Sequence, residues 1–180
     1  MVRGSPLKCE ARRGWLTRRA LLKTLACSLG GSVLLLNGCT NPVPGTHVVE
    51  MVSDGGEEFF EPDRLHIRPG DTVRWVLTSG FHSTTAYHPD NSGHPLRIPE
   101  QATPWDSGLI RKDGEQFEVT FEQEGAHCYY CTPHEALAMI GMVVVGRPQA
   151  GEPGMLPPQD DLPKSAREKL AELVAWATRL

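Results

Sequence analysis

The sequence predicts an all-β sandwich domain carrying a C-terminal amphipathic helix, and three observations lead there. Between residues 46 and 146, apolar and polar side chains alternate with a period of two in short runs separated by Gly, Pro, Asp and Ser. No stretch inside that span has helical periodicity, and no internal repeat is visible. After a Pro/Gly-rich segment, Leu170, Leu173, Val174, Ala177 and Leu180 then recur at helical spacing.

Composition narrows the classes. The chain has 180 residues, 39% hydrophobic and 22% charged, an ordinary globular balance. Its formal net charge of −4 excludes the basic face of a nucleic-acid binder. Five cysteines are too few for a disulfide scaffold of this size. No apolar stretch reaches the ~20 residues of a membrane-spanning helix.

Residues 1–38 read as an export signal. They hold seven basic residues and one acid, and Thr24 to Leu36 is apolar or small without charge, as in a secretory core segment. Thr17-Arg18-Arg19-Ala20-Leu21-Leu22-Lys23 resembles a twin-arginine signal. Leu36-Asn37-Gly38-Cys39 resembles a lipoprotein cleavage box, in which Cys39 becomes the lipidated first residue. Acyl chains contribute about 0.8 kcal/mol per buried CH₂, enough for several chains to tether the protein to a membrane. The expected location is therefore extracytoplasmic, periplasmic or at the cell surface of a prokaryote. Cys9 and Cys27 depart with the signal. Removing it leaves 11 basic and 21 acidic side chains, a net of −10, which steers basic partners toward the surface.

Residues 39–45 form a tether that Pro42 and Pro44 keep out of helix. Strand-like runs follow at 47–52, 64–68, 72–77, 116–121 and 140–145, each closed by turn residues. Period-2 runs of this kind suggest antiparallel sheets packed face to face. Tyr87 to Asp113 is rich in Pro, Gly, Asp and His, a loop long enough to be an elaboration around a site. Residues 147–162 read as an extended, semi-stiff linker. Ser165-x-x-Glu168 resembles a capping box opening a helix over 163–180 that packs on the domain.

The chemistry lies in Tyr130-Cys131-Thr132-Pro133-His134-Glu135-Ala136-Leu137-Ala138-Met139, between an aromatic strand and an apolar one. A thiolate, an imidazole three residues on and a thioether five further suit a mononuclear copper that shuttles electrons. Sulfur and imidazole bind both Cu(I) and Cu(II), and a weak axial Met tunes the potential. Pro133 fixes the bend between Cys131 and His134. A second imidazole is needed, and His82 in Gly80-Phe81-His82-Ser83 supplies it just after a strand.

Cys-x₂-His-x₄-Met with an upstream His resembles the plastocyanin and pseudoazurin branch of the cupredoxins, halocyanins included. The resemblance covers about residues 46–146. It implies a Greek-key β-sandwich holding one type 1 copper through His82, Cys131, His134 and Met139. Two departures stand out: Ser83 occupies the position where plastocyanins usually carry an Asn that braces the copper loop, and the 87–113 segment is longer and more polar.

Competing readings use the same residues. Cys128-x-x-Cys131 could suggest thioredoxin-like chemistry, but that places the first thiol at a helix N-terminus within an α/β pattern. Its spacings are each one residue too short for a binuclear copper centre. Cys128 also falls on the opposite strand face and reads as a buried small hydrophobe. His88, Asp90 and His94 are a conceivable second metal site, though two loop histidines more often bond locally. His47, His66 and His127 read as sheet-face residues, and Met142 as core that could replace Met139.

The expected function is a membrane-tethered, monomeric electron carrier, not an enzyme. It would pass single electrons between redox proteins, such as a c-type cytochrome or a membrane oxidoreductase. Ala136, Leu137 and Ala138 would form the docking patch around the exposed edge of His134. A copper store or chaperone is the alternative, and a copper-dependent oxidoreductase the weaker one.

Overall fold

The computed structural model describes residues 43–180. Cys39, the proposed signal and the first residues of the tether lie outside them. Eight strands form two four-stranded sheets. The first sheet runs β2 (Glu57–Glu61), β1 (Thr46–Asp54), β4 (Asp71–Leu77), β6 (Gln116–Phe121), and the second β3 (Arg64–Ile67), β8 (Ile140–Val145), β7 (Gly125–Tyr130), β5 (Thr85–Ala86). Each sheet contains one parallel pair, β1 with β4 and β3 with β8, so the expected antiparallel pairing holds only in part. The cause is simple: alternation reports which face is buried, not which way a neighbour runs. β2 was not expected as a strand. It turns back from β1 through Gly55 and Gly56, whose φ angles of 60° and 91° are those of a two-residue hairpin loop.

The core fills the space between the sheets. From β4, Val73, Trp75 and Leu77 point inward at every second position, to meet Val49 and Met51 of β1. Tyr129, Val143 and Val145 face them from the second sheet. Trp75 packs edge-on against Tyr129, with ring centroids 5.2 Å apart. Trp105 is a buried anchor.

The second sheet is covered on both faces. The outer side chains of β7 and β8 (Ala126, Cys128, Tyr130, Met142, Val144) lie under Ala166, Leu170, Leu173 and Ala177 of α1 (Lys164–Ala177). This explains why residues 140–145 are apolar without alternation. Cys128 and Met142 therefore belong to the layer beneath the helix, away from the inter-sheet core. The helix is further held by Lys169 on Asp63 and Arg64 on Glu172. Its capping box is not formed. Pro163 occupies the cap, and the Ser165 hydroxyl, two residues past it, donates instead to the Ala136 carbonyl at 2.6 Å.

Residues 147–162 are strapped to the domain rather than extended. Glu152 accepts the Ala126 amide at 2.7 Å. The buried Arg97 guanidinium donates to the Leu156 and Pro157 carbonyls and to Gln159, at 2.7, 3.3 and 2.9 Å. Arg97 comes from the 87–113 segment, which also sends Ile98, Trp105 and Ile110 into the core.

Candidate metal centre

All the chemistry gathers at one end of the sandwich. β4 ends at Leu77, and His82 is pinned two ways to Ile110: its amide donates to the Ile110 carbonyl at 3.1 Å, and the Ile110 amide returns the bond at 2.8 Å. Cys131 follows β7 in step with His127 and Tyr129, so period 2 turns its sulfur into the inter-sheet core. A 3₁₀ turn over Thr132–Leu137, opened by Pro133, swings His134 back toward that sulfur. Ala138 then takes a left-handed φ of 66°, a conformation that costs a non-Gly residue roughly 1–2 kcal/mol. That kink lets the Met139 amide reach the His134 carbonyl at 3.2 Å and the Met139 carbonyl accept from Cys131 at 3.0 Å. Met139 is fully buried beside Cys131 in the core.

Both imidazoles present Nδ1 to the cysteine. The two Nδ1 atoms are 3.1 Å apart, and Cys131 Sγ is 3.6 Å from that of His82 and 3.5 Å from that of His134. A point equidistant from three atoms so spaced lies about 2 Å from each, the length of a metal–imidazole bond. Among the described residues this is the one group of three or more His, Cys, Asp or Glu placed to share an ion.

Electrostatics fit a cation there. Burial pushes the Cys131 thiol up to about 11, against the Ser83 and His134 amides, which favour the thiolate. Burial, then the neighbouring His134, pulls His82 below the ordinary histidine range, while Glu58 and the Ser79 backbone work the other way. A neutral imidazole is what a metal needs, and an ion that displaces the thiol proton offsets the cost of a buried thiolate. Sulfur with two ring nitrogens and a nearby thioether is a copper-selective donor set.

The surrounding shell is less visible in the sequence. Ser83 takes on the bracing work: its amide donates to Cys131 Sγ at 3.3 Å, while its hydroxyl accepts the Thr132 amide at 2.8 Å and bonds the Thr132 hydroxyl at 3.0 Å. Glu135 locks the turn onto the long loop, accepting from Tyr87 at 2.7 Å and meeting His94 Nε2 at 3.2 Å. His94 in turn stacks on Tyr130, with centroids 4.4 Å apart. These partners lie about 40 residues or more from Glu135, and no local motif announces them.

His88 and Asp90 bond each other locally while His94 turns to Glu135, so these three do not gather into a second site. Cys128 is fully buried, its thiol raised by burial and directed at the Gly154 carbonyl. His47 and His66 lie on β1 and β3, and His127 on β7. His134 is 8% exposed; beside it in the chain Ala136 and Leu137 are exposed and Ala138 is half-buried, and Phe81 and Leu109 are exposed as well. The Phe81 ring lies 5.2 Å from that of His134.

A β-sandwich that gathers two histidines and a cysteine at one end, with a buried methionine beside them, is a cupredoxin, the class of mononuclear copper electron carriers. Comparison with known proteins agrees. The chain belongs to the plastocyanin/azurin family of copper-binding proteins, whose family model matches residues 47–146. It is 31% identical to a putative pseudoazurin of Rhizobium leguminosarum bv. viciae over 114 residues, 62% of this chain and 68% of that one. It is also 31% identical to a chloroplastic plastocyanin of Tetradesmus obliquus over 97 residues, 54% of this chain and just under two thirds (65%) of that relative. Among solved structures, a Sinorhizobium pseudoazurin superposes with a TM-score of 0.57 at 28% identity, covering 73% of this chain and 94% of its own. The cofactor of the family is one copper.

Proposed function

We propose that the protein is a membrane-tethered, extracytoplasmic one-electron carrier whose copper is held by His82, Cys131, His134 and Met139. The observation that carries the reading is the triangle of Cys131 Sγ and two Nδ1 atoms with edges of 3.1 to 3.6 Å. When bound there, copper supplies a one-electron couple between Cu(II) and Cu(I). The chain's own residues do the rest. Two strands, a 3₁₀ turn and the Ser83 brace fix the donors, so that little moves as the charge changes. His134 brings a ring edge near the surface, where electrons enter and leave. Exposed Phe81, Leu109, Ala136 and Leu137, with Ala138, form the apolar rim on which a donor or acceptor docks, in the small and transient manner of redox partners. The acidic net charge favours a basic partner, such as a c-type cytochrome.

The tether fits this arrangement. Ser53 of β1 reaches the metal end, so Thr46 stands about 23 Å away along the strand, at the opposite pole. Copper-loaded protein is expected to show an intense visible thiolate-to-Cu(II) absorption and a Cu(II) EPR signal, both lost on adding ascorbate. Stoichiometric copper without that band would refute the assignment.

A further inference from the structure

We infer that Ser53 and Glu58 form an outer relay that orients His82 and biases the metal toward its oxidised state. This rests on the copper reading above, but on residues that neither the family nor the ligand motif assigns.

The relay is a chain of hydrogen bonds leading away from the site. His82 turns Nδ1 toward Cys131, so when that nitrogen binds the metal its ring proton belongs on Nε2. That nitrogen is 3.2 Å from Ser53 Oγ, and the Ser53 hydroxyl donates to Glu58 Oε2. The directions agree from end to end: ring N–H to hydroxyl, hydroxyl to carboxylate. A carboxylate at the far end of such a chain fixes a ligand's tautomer and ring plane and makes it a better donor.

Three features show that the contact is built. Gly80 has φ +83°, and a Cβ there would lie 2.0 Å from Ser53 Oγ and 3.2 Å from His82 Nε2, so only glycine leaves the hydroxyl its place. The Ser79 hydroxyl grips the Ser53 backbone both ways, accepting its amide and donating to its carbonyl at 2.9 Å each. The Gly55-Gly56 hairpin then sets Glu58 opposite Ser53 in the β1–β2 register.

The charge reaches both ligands. Glu58 Oε2 lies 3.6 Å from His82 Nε2 and 3.9 Å from His134 Nδ1, with its side chain 17% exposed and hence poorly screened. The cupric ion carries one more positive charge than the cuprous, so a carboxylate so close stabilises it and lowers the reduction potential. Glu57, exposed on the same strand, provides a control of equal charge.

The test uses the full chain. In the copper-loaded protein, Glu58→Gln is expected to shift the Cu(II)/Cu(I) equilibrium toward Cu(I) by about tenfold, ~59 mV for a one-electron couple. Glu57→Gln should shift it far less. In copper-free protein, Ser53→Ala should move the ¹⁵N resonance of His82 Nε2, a readout independent of metal. Equal shifts for the Glu57 and Glu58 variants, or an unchanged His82 resonance, would overturn the relay. A wild-type protein that takes up no copper would instead refute the copper reading, while the resonance still decides the contact.

Discussion

The two cysteines of Cys128-x-x-Cys131 show how much one position on a strand decides. Three steps along β7 place them on opposite faces, Cys131 among the inter-sheet aromatics and Cys128 under α1. Replacing Cys128 by Ser should therefore leave the visible copper band and its ascorbate response unchanged. Stability should fall by about 1–3 kcal/mol, the cost of a hydroxyl in an apolar layer, measured by urea titration. Loss of colour would place Cys128 in the metal site. The proposed ligands were legible because Cys131, His134 and Met139 lie within nine residues and carry distinctive chemistry. Ser53 and Glu58 were not, because they lie 29 and 24 residues before His82 and meet it only through a hairpin register and the space left at Gly80.

At the scale of elements, alternation marked strands with one buried face and a continuous apolar run marked β8, while β2 carries neither signal. Glu57-Glu58-Phe59-Phe60-Glu61 buries only Phe60 fully, so β2 has no period-2 signature. Pro and Gly in 147–162 signalled a stiff backbone but not the Arg97 and Glu152 clamps that hold it. The capping motif failed because Pro163 starts the helix two residues earlier, leaving the Ser165 hydroxyl inside the first turn to find an acceptor across the interface. β7 also carries a pH-sensitive residue. His127 is buried against Phe121, its Nε2 bonded to the Gln123 carbonyl and its Nδ1 without a partner. Burial lowers it to about 4, opposed only by the Gln123 carbonyl. The unfolded chain titrates near 6.5, so it binds the proton first as pH falls, and folding stability is lost progressively between pH 6.5 and 4. The full effect is on the order of 3 kcal/mol. Melting curves of His127→Phe should show a markedly flatter dependence over that window than the wild type. Parallel curves would exclude His127 as the source.

For the molecule as a whole, the metal and the chain's entry into the fold stand at opposite poles, and the tail helix closes the outer face. If Cys39 carries the anchor, Cys39→Ser should move the protein from the membrane fraction to the soluble fraction, with its spectrum unchanged. Continued sedimentation with membranes would assign the attachment to another segment. The double burial of the second sheet has one more consequence. β7 and β8 have core on one side and helix on the other, so their amides can meet solvent only when the molecule opens globally. The loop bearing Cys131 and His134 hangs between these two strands, whose amides are expected to exchange most slowly. Withdrawing the ion therefore leaves its cradle standing, ready to be refilled without refolding.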